Sequence, residues 1–182
     1  MISKIQNFKS LASTKARTDA LEIVDAALSS IDAKQVIRDS VTMVDGSLSI
    51  MGQRFTLSDY RNIYIIGFGK ASCRAAKVLE EILHGQIKDG AVIGVTEVTC
   101  SAIETYAGTH PLPSHINVTA TKHIQEIAHK ATKDDLVLVV ISGGGSALLC
   151  SSDEECEQGK RLYEAFLHSG GMIEELNTVR KY

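Results

Sequence analysis

Several features that mark particular classes of protein are scarce in this chain of 182 residues. It contains no tryptophan, two prolines and four cysteines, and the cysteines form no CxxC pair. This spacing predicts reduced thiols in a cytoplasmic protein and no metal site. The four positions are Cys73, Cys100, Cys150 and Cys156. No apolar run approaches the roughly 20 residues of a membrane helix, and the amino terminus lacks the apolar segment of a signal peptide.

The sequence also lacks a basic block. The formal net charge is −3, so the composition offers no electrostatic reason to bind a nucleic acid or an acidic membrane, and we expect neither partner. The hydrophobic content of 44% and the charged content of 23% are those of an ordinary globular protein. The length therefore predicts one well-buried domain over residues 1–182.

The most informative stretch is residues 136–149, LVLVVISGGGSALL. Its unbroken apolar start, Leu136 to Ile141, predicts a strand buried on both faces, as in a parallel sheet. Glycines follow, so backbone N–H groups can approach a ligand closely, and Ala147 to Cys150 can open a helix. The loop comprises Ser142, Gly143, Gly144, Gly145 and Ser146. This stretch predicts an anion cradle, and the alternative is a tight turn without a ligand.

A second strand, Asn62 to Ile66, runs into the turn Gly67-Phe68-Gly69-Lys70, and a helix is expected from about Ala71 to His84. Ligands of open α/β sheets bind at the carboxyl ends of the strands, where this turn would lie. A lysine beside a glycine turn at a helix start is well placed to hold an anion. The alternative for Lys70 is a solvated surface side chain.

Two further strands are predicted, from Gly90 to Thr96 and from Ile103 to Tyr106. The second ends in the loop Thr109–Ser114, which two prolines stiffen around His110. His110 can bind a substrate group, act as a base or serve as a structural hydrogen-bonding residue.

The remaining patterns complete an α/β fold. A helix is expected from about Leu11 to Ser30, and Asp45-Gly46 between two β-rich runs predicts a hairpin. Other helices are expected over residues 32–38, 117–130, 153–169 and 172–179. Alternating strands and helices predict a mainly parallel sheet with helices on both faces, a Rossmann-like three-layer arrangement. The three loops after the strands should then share one edge of the sheet.

Four motifs in order resemble the amino-terminal domain of glycerate 2-kinases, whose second domain is called MOFRL. They are GFGKAS, THPLPS, VISGGGSALL and GGMIEELNTVRKY, and together they cover about Tyr64 to Lys181. This resemblance implies ATP-dependent phosphorylation of glycerate to 2-phosphoglycerate, with Mg²⁺ and a small-molecule acid as substrate. Thr109 and Ser114 depart from the family pattern, which usually has glycine and aspartate there.

The resemblance also implies roles for individual residues. Lys70 would be catalytic, and no metal ligand is identified. The residues implied to bind substrate or nucleotide are Gly67, Gly69, His110, Ser142, Gly143, Gly144, Gly145, Ser146, Asn177 and Arg180.

The family chain continues into a second domain, whereas this sequence ends at Tyr182. We therefore expect a truncated chain that is inactive alone and that can self-associate through the surface where the MOFRL domain would dock. The alternative function is a non-catalytic module that binds a phosphosugar or another anion, because sugar isomerase-like domains carry similar turns.

Overall fold

A computed structural model describes residues 3–180 of the chain. The helices are α1 (Phe8–Leu11), α2 (Lys15–Ser30), α3 (Ala33–Ser40), α4 (Ser72–Leu83), α5 (His115–Lys130), α6 (Asp153–Ser169) and α7 (Ile173–Arg180). The strands are β1 (Val41–Val44), β2 (Ser47–Ile50), β3 (Gln53–Thr56), β4 (Ile63–Phe68), β5 (Ile87–Gly94), β6 (Glu104–Ala107) and β7 (Leu136–Ile141). No helix within the described residues is both long enough and apolar enough to cross a membrane.

The main sheet has four parallel strands in the order β6-β5-β4-β7. Helix α4 packs its apolar side, including Ala76 and Leu83, on one face of this sheet. Helix α5 covers the other face with Ile124 and Ile127. The predicted parallel sheet with helices on both faces is confirmed, and the carboxyl ends of all four strands meet at one edge.

A second, antiparallel sheet has the order β1-β2-β3. The predicted hairpin is confirmed, because Val44 pairs with Ser47 across the Asp45-Gly46 turn, where both turn residues have positive φ. The third strand was not predicted, because QRFT carries only a short alternation. Leu48 of this sheet is completely buried against the α4 face, which places the small sheet at the margin of the main core.

The prediction that β7 is buried on both faces is wrong. Within the part of the chain that the structure describes, β7 pairs only with β4 and forms an edge of the sheet. Leu138 and Val140 point into the core, whereas Val139 is 50% exposed and Ile141 is 66% exposed. An apolar run shows that a strand is apolar on both faces, but it does not show that both faces are covered.

Candidate functional site

The turns that follow β4 and β7 are joined by backbone hydrogen bonds. The N–H of Lys70 donates to the carbonyl oxygen of Gly143 at 3.0 Å, and the N–H of Ser142 donates to Phe68 O at 3.1 Å. The hydroxyl of Ser142 accepts the Ala71 N–H at 3.0 Å. The two loops therefore form one continuous platform, and the main structural role of Ser142 is to link them.

Three of the predicted glycines are needed because other atoms approach them closely. A Cβ at Gly67, which lies within β4, would be 2.7 Å from the carbonyl oxygen of Val140. Gly69 has φ +129° and would overlap Ser142, and a Cβ at Gly145 would be 2.5 Å from Cδ2 of Phe68. Gly69 and Gly145 let the two loops of the platform approach each other. The glycine at position 67 is required by close packing between β4 and β7.

Gly144 lies where the three predicted loops meet. Its φ is +82°, in the left-handed region that glycine favours. A Cβ placed there would lie 3.0 Å from Cε of Lys70 and 3.1 Å from Nε2 of His110. The structure therefore brings together the lysine, the histidine and the glycine loop, as the sequence predicts for loops at one edge of a parallel sheet.

The top of the glycine loop offers hydrogen-bond donors. Within residues 3–180, the N–H groups of Gly143 and Gly144 donate to no protein acceptor. Gly143 is exposed and has open space around it. The expected α-helix from Ala147 is wrong, because only one 3₁₀ turn forms, Gly145–Ala147. The next helix starts at Asp153, where the Ser152 side chain caps it by accepting the Glu155 N–H.

Asn117, which is not predicted from the sequence as a site residue, anchors the His110 loop. Its side chain is fully buried, and its Oδ1 accepts the backbone N–H groups of Thr109 and Ser114 at 3.1 and 3.0 Å. Its Nδ2 donates to Leu148 O at 2.9 Å, just after the glycine loop. Asn117 thus ties the His110 loop to the glycine loop. The two positions that depart from the family pattern, Thr109 and Ser114, are both partners of this amide.

Ser146 and Asn177 line one cavity of about 820 Å³, together with Pro113. Both side chains are exposed, and the cavity lies between the end of the glycine loop, α6 and α7. Arg180 is the last residue of α7, and its side chain lies outside what the structure describes. The structure therefore brings Asn177 to the site and leaves the predicted role of Arg180 untested.

Cysteine chemistry does not serve this site. Cys73 lies in the first turn of α4 beneath the loops, and burial raises the pKa of its thiol to about 11, so the thiol stays neutral near pH 7. Cys150 and Cys156 form a disulfide, with their Cα atoms 6.0 Å apart. The expectation of four reduced thiols is wrong for this pair, because the start of α6 turns back over the end of the glycine loop.

The described residues contain no group of three or more His, Cys, Asp or Glu side chains placed to hold a metal ion. Exposed backbone N–H groups and the ammonium of Lys70 can instead donate hydrogen bonds to phosphate or carboxylate oxygens. The arrangement fits an anion better than it fits a cation held by the protein. Among the described side chains, no such group of three or more is placed to hold Mg²⁺.

Comparison with known proteins identifies the family. A family model described as "Domain of unknown function (DUF4147)" matches residues 19–182. The chain belongs to the DUF4147 family. Its relatives include the glycerate 2-kinase of Pyrococcus horikoshii, which is 31% identical over a 172-residue alignment that covers 91% of this chain and 38% of the relative.

Solved structures support the same relationship. A crystal structure of a protein from Pyrococcus horikoshii OT3 matches with a TM-score of 0.74 and 29% identity, over 93% of this chain and 39% of that chain. The glycerate kinase of Thermotoga maritima matches with a TM-score of 0.67 and 29% identity, over 89% and 37%. This DUF4147 chain corresponds to the amino-terminal domain of these longer relatives and spans less than two fifths of their length.

Proposed function

We propose that this chain is the amino-terminal part of a kinase that transfers the terminal phosphoryl group of ATP to glycerate and forms 2-phosphoglycerate. The observation that carries the proposal is the position of Gly144 between Lys70 and His110, at the carboxyl edge of the parallel sheet. Two relatives are named as glycerate kinases, which favours this substrate over other small acids.

Phosphoryl transfer depends mainly on positioning and on neutralising negative charge. The ammonium of Lys70 would offset charge on the phosphoryl group as it moves. The N–H groups of Gly143 and Gly144 would hold phosphate or carboxylate oxygens in fixed positions. ATP supplies the phosphoryl group, and this chain's residues bind and orient the reactants.

The acid substrate would occupy the cavity beside Ser146 and Asn177. Its walls carry a hydroxyl, an amide and the neighbouring His110 loop, and these are groups that hydrogen-bond hydroxyls and a carboxylate. About three fifths of the length of each longer relative is not matched by this chain. We therefore expect little or no turnover from these 182 residues alone.

Binding distinguishes this proposal from a phosphosugar-binding module. The chain, labelled with ¹⁵N, is titrated with ATP, with D-glycerate and with a hexose phosphate while amide NMR signals are followed. We expect ATP and D-glycerate each to shift signals from Gly143, Gly144 and Ser146. Saturable binding of the hexose phosphate at these amides, without a response to D-glycerate, would favour the module and contradict the kinase proposal.

A further inference from the structure

A second cavity, of about 670 Å³, has Lys70 in its lining and none of the glycine-loop residues. It is formed by the amino-terminal segment, the start of α3, the first turns of α4 and the loop after β5. Five of its lining side chains are cationic and one is acidic. These are Lys4, Lys34, Lys70, Arg74, Lys77 and Asp32, and together they define the basic cleft.

The charges of the basic cleft are only partly neutralised. Lys4 forms an ion pair with Asp32, and Lys77 pairs with Glu80 at 2.9 Å. Lys34, Lys70 and Arg74 form no ion pair with any residue between 3 and 180, and all three are exposed. Each is therefore available to a ligand that carries negative charge.

The neighbouring acidic groups do not change this balance. The ammonium of Lys4 and the N–H of Lys34 keep the pKa of the Asp32 carboxyl below its usual value, so it is ionised and engaged. Glu97, on the loop after β5, lines a different cavity with Cys100 and Tyr106.

Three of the cations lie at or just before the start of α4. Arg74 and Lys77 are three residues apart in α4 and therefore lie on one face of it, and Lys70 precedes the helix by two residues. All three line the same cavity. Lys34, at the start of α3, lines it as well. The cleft is continuous with the site because Cε of Lys70 also borders Gly144.

We propose that the basic cleft binds the polyphosphate chain of a nucleotide. Lys70 contacts the phosphate nearest the glycine loop, and Arg74 and Lys34 contact the phosphates farther along the cleft. A row of separated cations fits a chain of linked phosphates better than it fits a compact acid. This inference rests on the proposed kinase function, and it places the nucleotide and the acid substrate in two different cavities.

The test compares ligand affinities by NMR titration of the chain and of the variants Arg74→Met and Lys34→Met. Methionine keeps much of the apolar length of each side chain and removes the charge. The matched control is Lys88→Met, an exposed lysine at the opposite edge of the sheet, near the start of β5. Urea unfolding of each variant verifies that the fold is intact.

We expect each cleft variant to bind ATP about tenfold more weakly, as for the loss of one charge-assisted hydrogen bond, with unchanged D-glycerate affinity. Lys88→Met should bind ATP as the unmodified chain does. The affinity of the unmodified chain should fall from ATP to ADP to inorganic phosphate, because fewer cations are engaged.

Two results would overturn the inference: unchanged ATP affinity in both cleft variants, or an equal loss in Lys88→Met, which would indicate non-specific attraction. The kinase proposal would survive either result if D-glycerate still binds beside the glycine loop. Conversely, loss of ATP affinity in the cleft variants without any D-glycerate binding would support the cleft and contradict glycerate as the substrate.

Discussion

The candidate site consists of two sets of residues that differ in burial and bonding. One set is the platform, in which Asn117 and Gly145 are buried and hold the loops together. The other set is carried on top of it, and Lys70, Ser146 and Asn177 are exposed. The difference shows that the sequence around the site is under two separate physical requirements. Substitutions in the platform should change stability, whereas substitutions in the exposed set should change binding.

The largest effect is expected at Asn117. Asn117→Leu leaves the N–H groups of Thr109 and Ser114 without their buried acceptor. We expect the free energy of unfolding to fall by about 3–5 kcal/mol, since each unsatisfied group costs about 1–3 kcal/mol. Urea denaturation measures this loss. The matched control is Asn177→Leu, which is exposed and should stay within about 0.5 kcal/mol of the unmodified chain. Equal effects of the two variants would remove the distinction.

A smaller effect is expected within the glycine loop. Gly145→Ala places a Cβ 2.5 Å from the ring of Phe68, so the loop or the ring must shift. We expect a loss of about 1–3 kcal/mol, the usual cost of overpacking. Gly143→Ala has open space around the new methyl group and should change the unfolding free energy by less than about 0.5 kcal/mol. Thermal and urea unfolding of the pair measure both. A Gly143 variant that is as unstable as the Gly145 variant would contradict the geometry of this loop.

A pH-dependent contribution is expected from Glu80, which lies outside the site. Burial alone would raise the pKa of this carboxyl, but the N–H groups of Ala102 and Ser101 and the ammonium of Lys77 outweigh burial and lower it. A lowered pKa in the folded state stabilises the protein above the usual value of 4.5, and this stabilisation is lost as the pH falls below it.

Glu80→Gln should therefore lower the free energy of unfolding by about 1–2 kcal/mol at pH 7, since the charge-assisted bonds are lost. The difference from the unmodified chain should shrink as the pH is lowered below 4.5, because the stabilisation is lost as the carboxyl becomes protonated in the folded state. Glu81→Gln is the control, because its ion pair with Arg38 is exposed and worth little. A pH-independent difference for Glu80→Gln would show that the charge is not what stabilises this region.

The strands illustrate how far the sequence predicts the fold. β4 and β7 are both apolar runs followed by a glycine turn, and their parallel orientation in one sheet is predicted correctly. β4 is longer than the predicted strand Asn62–Ile66, because Gly67 and Phe68 belong to the strand and not to the turn. Their environments differ, since Ile65 is completely buried between two neighbouring strands and Val139 is half exposed at an edge. Strand order depends on contacts between distant segments, and the periodicity of one segment carries no information about them.

The candidate site was likewise predicted only in part from the sequence. Convergence of Lys70, His110 and the glycine loop follows from parallel strands and is predicted. The anchoring role of Asn117 is not predicted, because an asparagine in a helical pattern gives no sign that its side chain is buried and hydrogen-bonded. The basic cleft is also invisible in the sequence, since Lys4, Lys34 and Arg74 are far apart in the chain. The fold brings these separated cations together, so the cleft is positively charged although the sequence has no basic block.

The central claim is that Lys70 and the glycine loop form one anion site on an independently stable platform. Its most direct test is the affinity of Lys70→Met for inorganic phosphate and ATP at low salt, beside its unfolding free energy. We expect the affinity to fall by about 1–3 kcal/mol, the binding by the unmodified chain to weaken with added salt, and the stability to change by less than about 0.5 kcal/mol. A folded Lys70→Met variant with the same phosphate and ATP affinities as the unmodified chain would contradict the claim.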